Sequence, residues 1–429
     1  MGTTSPITIY LDCTRLIHKS LSLRPSGIER VDINYLNSII LDPDFYPVGF
    51  IELVLADKKT NCFFEISNEL VKKWIKLCYQ KWIVDQIDDE RYVESVKKIL
   101  SNVSAEIKKT ADNFERLQQI DKKILKRLRD SDVRPKYLNC TFINIPLGSS
   151  HGTLMAQLKM DHYYIIHDLI PIKFPEYVWS DALALEHLNR LEGIAKNKSN
   201  IIAISKAVKS DVQSVLKQLG LEVPDIVVIN NGVERVFESS FEKEEIIFNN
   251  KPKFTYVSTI EPRKNHIFLL NIWRELIEEF GEAAPELHII GRRGWASEVT
   301  YKILSNSPAI KTKVIEHNSL SDEEIVRHLI ESRATLFPSF DEGWGLPIVE
   351  SLSLGVPVIC SDIPVHRECS QGFATFISPI DGIGWKNEIL KISAEEYIAW
   401  TARVEVAKKF IPINWSDSSD KLKAYLKKA

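Results

Sequence analysis

Glu342 and Glu350 are the residues whose type and spacing speak most plainly of chemistry, with seven residues between them. The first precedes the run Gly343-Trp344-Gly345-Leu346-Pro347 and the second follows it. A carboxylate accepts hydrogen bonds from vicinal hydroxyls, so two acids placed this way can hold two different sugars of one ligand. Glycine lets backbone approach an anion closely. If the chain turns helical here, the free N–H groups of Gly345 and Leu346 also suit a phosphate or diphosphate. Taken alone, a glycine loop is a weak signal, and an ordinary βαβ turn with solvent-facing acids would contain the same residues.

The elements that must position the two acids are legible around them. Ala334 to Pro338 is a short apolar run stopped by a proline, as a buried strand end is. Pro347 fits a first helical position, where its missing N–H costs nothing. Ile348 and Leu352 give that helix an apolar face, Gly355 stops it, and Val356 to Cys360 reads as the next buried strand.

This strand, loop, helix and strand resemble the E-x7-E signature of retaining glycosyltransferase family 4. The resemblance implies an α/β GT-B fold: two Rossmann-like doubly wound domains facing a central cleft, here with a helical insertion in the first. In that family the first glutamate contacts the transferred sugar and the second the nucleotide ribose, which assigns those roles to Glu342 and Glu350. Gly343, Trp344, Gly345 and Leu346 then line the donor.

Other stretches agree. After the apolar run Phe254 to Ile260 comes Glu261-Pro262-Arg263-Lys264-Asn265. Two cations leaving a strand end there would offset charge on a departing nucleoside diphosphate. In the family a lysine at this point contacts the diphosphate, which is Lys264. An arginine slightly earlier helps it; this chain has Ser258 near that place, leaving Arg263 to take over. Tyr163 to Ile166 is a strand ending at His167, where ligands bind in an open α/β sheet. The phrase His167-Asp168-Leu169-Ile170-Pro171 with Phe174-Pro175-Glu176 is similar to the sugar-site segment of bacterial mannosyl- and rhamnosyltransferases, whose histidine lies beside the transferred sugar. Gly27, opening a helix with Val31, Tyr35, Leu36 and Ile39 at helical spacing, resembles the family's glycine loop. Arg30 beside it reads as a solvated helix residue rather than a phosphate contact. Gly291 follows the strand Leu287 to Ile290 as another ligand-edge loop, with Arg292 or Arg293 touching base or phosphate, and Val314 to His317 fits the strand near the base.

The expected organisation is an acceptor-side domain over 1–236, a nucleotide-sugar domain over 237–410, and a last segment, 411–429, crossing back to the first. Further N-terminal strands are expected at Ile7 to Asp12, Val48 to Leu55 and Cys140 to Pro146. Residues from about 65 to 132 contain no proline or glycine and read as two or three long amphipathic helices packed on the first domain. Acids interrupt their basic face, which argues against a membrane surface.

Composition bounds the rest. The chain has 429 residues, enough for two cores, with 44% hydrophobic and 26% charged residues, as in soluble globular proteins. A net charge of −3 argues against a general nucleic-acid binder. Six scattered cysteines with no C-x-x-C pair fit a reduced compartment. No basic-then-apolar leader begins the chain, and no run nears the ~18 apolar residues of a membrane span. A cytoplasmic protein is expected, with membrane contact only peripheral. Asp42-Pro43-Asp44 is a literal D-x-D but reads as a turn, so no catalytic metal and no cofactor beyond the donor are expected.

The function implied is retaining transfer of a sugar, best mannose from GDP-mannose, onto a growing cell-surface polysaccharide or lipid-linked glycan. No carboxylate pair is placed as in retaining glycosidases; the resemblance implies instead a front-face reaction in which the leaving diphosphate helps take the acceptor proton. A dTDP- or UDP-sugar-dependent rhamnosyltransferase is the alternative donor reading. A non-catalytic nucleotide-sugar-binding protein or an epimerase on the same fold is the alternative class.

Overall fold

A computed structural model describes residues 6–54, 61–111, 134–142, 160–180, 182–237 and 246–428. Its described strands form two sheets. The first has the order β3-β2-β1-β4-β5-β6-β7, built from β1 (Ile7–Asp12), β2 (Phe45–Val54), β3 (Asn61–Ile66), β4 (Lys136–Asn139), β5 (Asp161–Ile166), β6 (Asn200–Ala203) and β7 (Ile226–Val228). Only β3 runs antiparallel to its neighbour there. The second has the order β10-β9-β8-β11-β12-β13, all parallel: β8 (Lys253–Val257), β9 (Glu286–Ile290), β10 (Val314–His317), β11 (Ala334–Phe337), β12 (Val358–Ser361) and β13 (Thr375–Ile377).

Parallel sheets are covered on both faces, so their strands read as continuous apolar runs. Ile9, Tyr10 and Leu11 of β1 and Ala334 and Leu336 of β11 are accordingly buried. The strand order reverses beside β1 in one sheet and beside β8 in the other. Ligand crevices of open α/β sheets lie at such points, outside the carboxyl ends of the strands.

Two local expectations shift. The strand near residue 140 is β4, at Lys136–Asn139 rather than Cys140 to Pro146. Asn139 ends it: its side-chain oxygen accepts the N–H groups of Thr141 (3.1 Å) and Phe142 (2.8 Å) and turns the chain out of the sheet. Ile143 to Pro146 lie outside the described residues. Arg30 is not a solvated residue either: it pairs with Asp322 at 2.6 Å and lies 3.7 Å from Glu234.

The insertion begins with β3 and continues as helices Asn68–Trp82 and Asp89–Ala111. Trp74 and Ile75 are fully buried, and the Tyr92 hydroxyl donates to the Ser20 carbonyl at 2.6 Å, so these helices pack on the first sheet's unit. The basic stretch Lys122 to Arg127 lies outside the described residues. The last helix, Trp415–Lys428, also lies against that unit. Ser418 Oγ donates to the Asn230 carbonyl at 2.6 Å, and Lys427 pairs with Asp42 (3.0 Å) and Asp44 (2.6 Å). The acids of the D-x-D phrase thus face a lysine. Among the described residues, no helix is long and apolar enough to cross a membrane.

Candidate active site at the seam between the two sheets

The site is built on the turn after β8. Pro262–Lys264 forms a tight helical turn, and Asn265 follows in the left-handed conformation at φ 60°. Tyr256, inside β8, donates its hydroxyl to the Lys264 carbonyl at 2.7 Å. The Asn265 amide donates to the carbonyls of Pro338 (3.2 Å) and Pro379 (2.9 Å), tying the turn to the end of β11. Ser258 Oγ lies 3.1 Å from His266 Nε2, beneath the same turn. The turn is therefore held from both sides, and its two cations have one direction to face.

They face Glu342. Arg263 Nη1 lies 2.8 Å from one carboxylate oxygen, Lys264 Nζ pairs with the other, and Arg263 Nε also reaches Glu261 at 2.6 Å. Burial alone would raise the Glu342 carboxyl, but the charges of Arg263 and Lys264 outweigh it and hold the group well below the usual carboxylate range. Burial, with the Arg263 charge behind it, pushes Lys264 below an ordinary lysine. Glu261, buried beneath Arg263, is raised by that burial. Two cations and two carboxylates form one knot.

The first sheet contributes the opposite wall. His167, beyond β5, is buried and donates through Nε2 to the Cys140 carbonyl at 2.6 Å. Burial lowers its basicity, so the ring is neutral near pH 7. Asp168 accepts the Ile170 N–H at 3.0 Å, opening the short helix Ile170–Lys173. Lys173 from that helix pairs with Asp341 at 2.7 Å. Phe340 stacks on Tyr177 at 5.4 Å between ring centres, and Trp295 Nε1 donates to the Tyr177 carbonyl at 3.0 Å.

Gly343 has a role that its sequence context did not suggest. A Cβ there would fall 1.9 Å from the His167 carbonyl oxygen, and Ser205 Oγ donates to the Gly343 carbonyl at 2.9 Å. Only glycine allows the two walls this approach. Trp344 is buried beside it, with no hydrogen-bond partner for its indole N–H. Gly345 takes φ 102°, which glycine tolerates, and starts the helix Leu346–Ser353. Pro347 is that helix's second residue rather than its first; the cost is again nil, because the first four N–H groups of a helix lack partners within it.

Glu350 lies on the same helix, 7% exposed. Burial pushes its carboxyl up to about 8, with Arg30 opposing and Asp322 and Glu234 adding to the rise. Arg30 reaches across from the helix Gly27–Leu41: it binds Asp322 through both terminal nitrogens (3.1 and 2.6 Å) and lies 3.7 Å from Glu234. One turn along, Asn34 Nδ2 donates to Glu234 at 2.9 Å. Arg30 is thus a linchpin between the halves. Sequence reasoning missed it, Glu234 and Asp322 as a group; the capping pattern Ser321-Asp322-Glu323-Glu324 was the only local signal.

The remaining expected positions are more scattered. A Cβ at Gly27 would meet nothing within 4 Å, so packing does not demand glycine there. Gly291 does serve packing, since a Cβ would fall 1.8 Å from the Ser258 carbonyl oxygen. Arg292 is exposed, whereas Arg293 is occupied by Glu316 at 2.8 and 2.7 Å. The structure therefore gathers His167, Asp168, Arg263, Lys264, Glu342 and Gly343 at one seam, with Glu350 in a second cluster beside Arg30.

Over 98% of both chains, the structure superposes on sucrose-phosphate synthase from Thermosynechococcus elongatus with a TM-score of 0.59 at 14% identity. It superposes on WaaG, a glycosyltransferase involved in lipopolysaccharide biosynthesis, with a TM-score of 0.56 at 12% identity, over 99% of this chain and 100% of that one. The fold is GT-B. Residues 238–377 match the family model described as Glycosyl transferases group 1, a span that contains Arg263, Lys264, Glu342 and Glu350. In sequence the GT-B chain is related to bacterial mannosyltransferases. It is 30% identical over 228 residues to the serotype-specific mannosyltransferase WbdA of Escherichia coli, covering 50% of this chain and 28% of that protein. It is 26% identical over 248 residues to the O-antigen chain mannosyltransferase RfbU of Salmonella typhimurium, covering 57% of this chain and 64% of that protein. The chain thus spans little more than a quarter of the length of WbdA.

Proposed function

We propose that this chain is a retaining, family 4-like hexosyltransferase that moves mannose from GDP-mannose onto a hydroxyl of a growing surface polysaccharide or lipid-linked glycan. The observation that carries this reading is the Arg263–Lys264–Glu342 knot, set at strand ends beside the N-terminus of the helix Leu346–Ser353. Lys264, Arg263 and the N–H groups at Gly345 and Leu346 receive the donor diphosphate. Glu342 then turns part of its hydrogen bonding to the transferred sugar, and Glu350 meets the ribose. The neutral His167 ring and the Asp168 side chain border the sugar from the facing wall, while Ser258, Gly291 and Arg292 flank the nucleotide.

In the reaction the anomeric carbon loses its bond to the diphosphate oxygen and gains one to the acceptor oxygen on the same face. The acceptor proton passes to the departing diphosphate. The protein's part is electrostatic: cations already in place stabilise charge that grows on the leaving group, without rearranging at that moment. The mannosyltransferase relatives support the choice of sugar, and surface-glycan acceptors would place the work at the cytosolic face of a membrane.

Calorimetry with GDP, UDP and dTDP tests the base, and incubation with GDP-mannose and a lipid-linked glycan tests transfer. Tight binding of GDP with appearance of an α-linked product is expected. Binding of UDP or dTDP alone would overturn the donor, and a released, altered sugar nucleotide without transfer would overturn the reaction.

A further inference from the structure

Three histidines that the proposed reaction does not use meet on one face of the second sheet. His288 lies in β9, paired with Ile315 of β10, so it shares a face with His317 two residues further along β10. The helix Asp322–Ile330 covers that face and brings His328 down onto both. Each ring offers one nitrogen to a set whose atoms all lie within 4.8 Å of one another. His288 Nδ1 and His317 Nε2 are 3.1 Å apart. A zinc ion with imidazole nitrogens at about 2.0–2.1 Å in a tetrahedron separates those nitrogens by about 3.3 Å, so this edge is already close to the spacing required.

A second observation points the same way. His328 Nδ1 is buried with no hydrogen-bond partner, and buried polar atoms are rarely left so. A carboxylate oxygen of Glu286 stands 3.5 Å from His288 Nε2, on the far side of the ring from Nδ1. Nε2 makes no hydrogen bond in this geometry, and closing that gap would give the outer-shell contact by which a carboxylate orients a ligating histidine. We propose that His288, His317 and His328 form a binding site for a divalent transition-metal ion, Zn2+ by ligand type, with a fourth position left for water or another oxygen donor. Imidazole sets favour zinc, copper and nickel over magnesium or calcium. Lys253 is the charge opposing a cation here, and it is paired with Glu331 at 2.7 Å. The ion's role is to fasten the helix Asp322–Ile330 to β9 and β10, and so to steady Asp322, the partner of Arg30, at the other end of that helix.

The test uses tag-free protein stripped of metal, titrated with Zn2+ by calorimetry and with Co2+ by visible absorption. One ion per chain is expected, with the intense d–d bands of four- or five-coordinate Co2+. Losing even an outer-shell partner costs a metal site about 10–100-fold in affinity. His317→Gln and His328→Gln should therefore each weaken Zn2+ binding by at least about 100-fold. His18→Gln, at an exposed histidine elsewhere, should leave binding unchanged. Circular dichroism identifies the variants that fold. Absence of saturable binding to natively folded protein at tenfold excess metal overturns the proposal. So does wild-type affinity in folded His317→Gln and His328→Gln.

Discussion

The two glutamates of one short phrase sit in opposite electrostatic settings. Glu342 faces two cations carried by its own half of the molecule and is held ionised. Glu350 lies one helix turn deeper, faces a cation supplied by the other half, and shares it with two further carboxylates. The first acid is therefore prepared for its work by a local turn, whereas the second depends on how the halves meet. A carboxylate fixed between cations is a permanent acceptor. A carboxyl raised to about 8 is mostly protonated near neutrality and offers a donor as well. That difference suits the proposed roles, with Glu342 an acceptor for the transferred sugar and Glu350 a group able both to donate to and to accept from the ribose.

The largest way to break the comparison is Lys264→Ala. It removes one of the two cations holding Glu342 and, on the proposed reading, one charge facing the leaving group, so turnover should fall by about 100-fold or more while the fold persists. Single-turnover rates at saturating donor check this, and a near-normal rate would remove the leaving-group role from Lys264. Arg30→Met acts on the other cluster. It leaves Asp322, Glu234 and Glu350 together without their shared cation, and stripping one member of a largely buried ion group costs about 3 kcal/mol. Urea denaturation should show that loss, and a change below 1 kcal/mol would mean the three acids relax into solvent instead.

How much of this was legible follows from the same contrast. Glu342, Lys264 and, to within one residue, the helix start at Leu346 were visible because their relations are local or recur in a known phrase. So were the strands around them, as continuous apolar runs. Arg30 was misread, because nothing within its own helix shows that Asp322 and Glu234, about 200 to 300 positions away, will close over it. Gly343 was legible as a glycine loop but not as a contact: its demand comes from the His167 carbonyl, a backbone atom of the other half. The strand at 136–139 was displaced by the apolar look of Cys140 to Pro146, since a side-chain oxygen that ends a strand leaves no mark on hydropathy.

Glu350 sharpens the comparison through pH. Its folded value is raised above the ordinary 4.5, so the folded state binds the proton more tightly than the unfolded chain does. The associated stability is fully present below the ordinary value and is lost as pH rises through about 8. Glu350→Gln keeps a neutral group there at every pH. Its melting temperature should fall less than that of the wild type between about pH 5 and pH 8. Parallel slopes in scanning calorimetry would place Glu350 in contact with water. Glu350→Ala should in addition weaken free nucleoside diphosphate by about tenfold, the worth of a hydrogen bond or two lost from the ribose. Unchanged affinity in calorimetry would release Glu350 from that role.

The smallest effect belongs to a third carboxylate at the seam, and it tests what such an acid contributes when no formal cation faces it. Glu368 accepts the N–H groups of Lys206 (2.8 Å) and Ala207 (3.1 Å), capping the helix Lys206–Gln218 from the opposite half. Asn230 Nδ2 lies 3.3 Å from it. This acid is half-buried and faces a helix dipole rather than a formal cation. A charge so placed contributes about 0.3–1 kcal/mol at low salt, and the contribution is screened as salt rises. Glu368→Gln keeps an oxygen for one of the two N–H groups and loses the charge together with the second acceptor. Its cost in dilute buffer should exceed its cost at about 1 M salt by about 0.5 kcal/mol, because the Debye length there is about 3 Å and only the charge part of the loss is screened. Denaturation of both proteins at the two salt concentrations measures this. An equal loss at both salt concentrations would mean that Glu368 holds the halves by hydrogen-bond geometry alone, and the contrast among the seam carboxylates would no longer rest on charge.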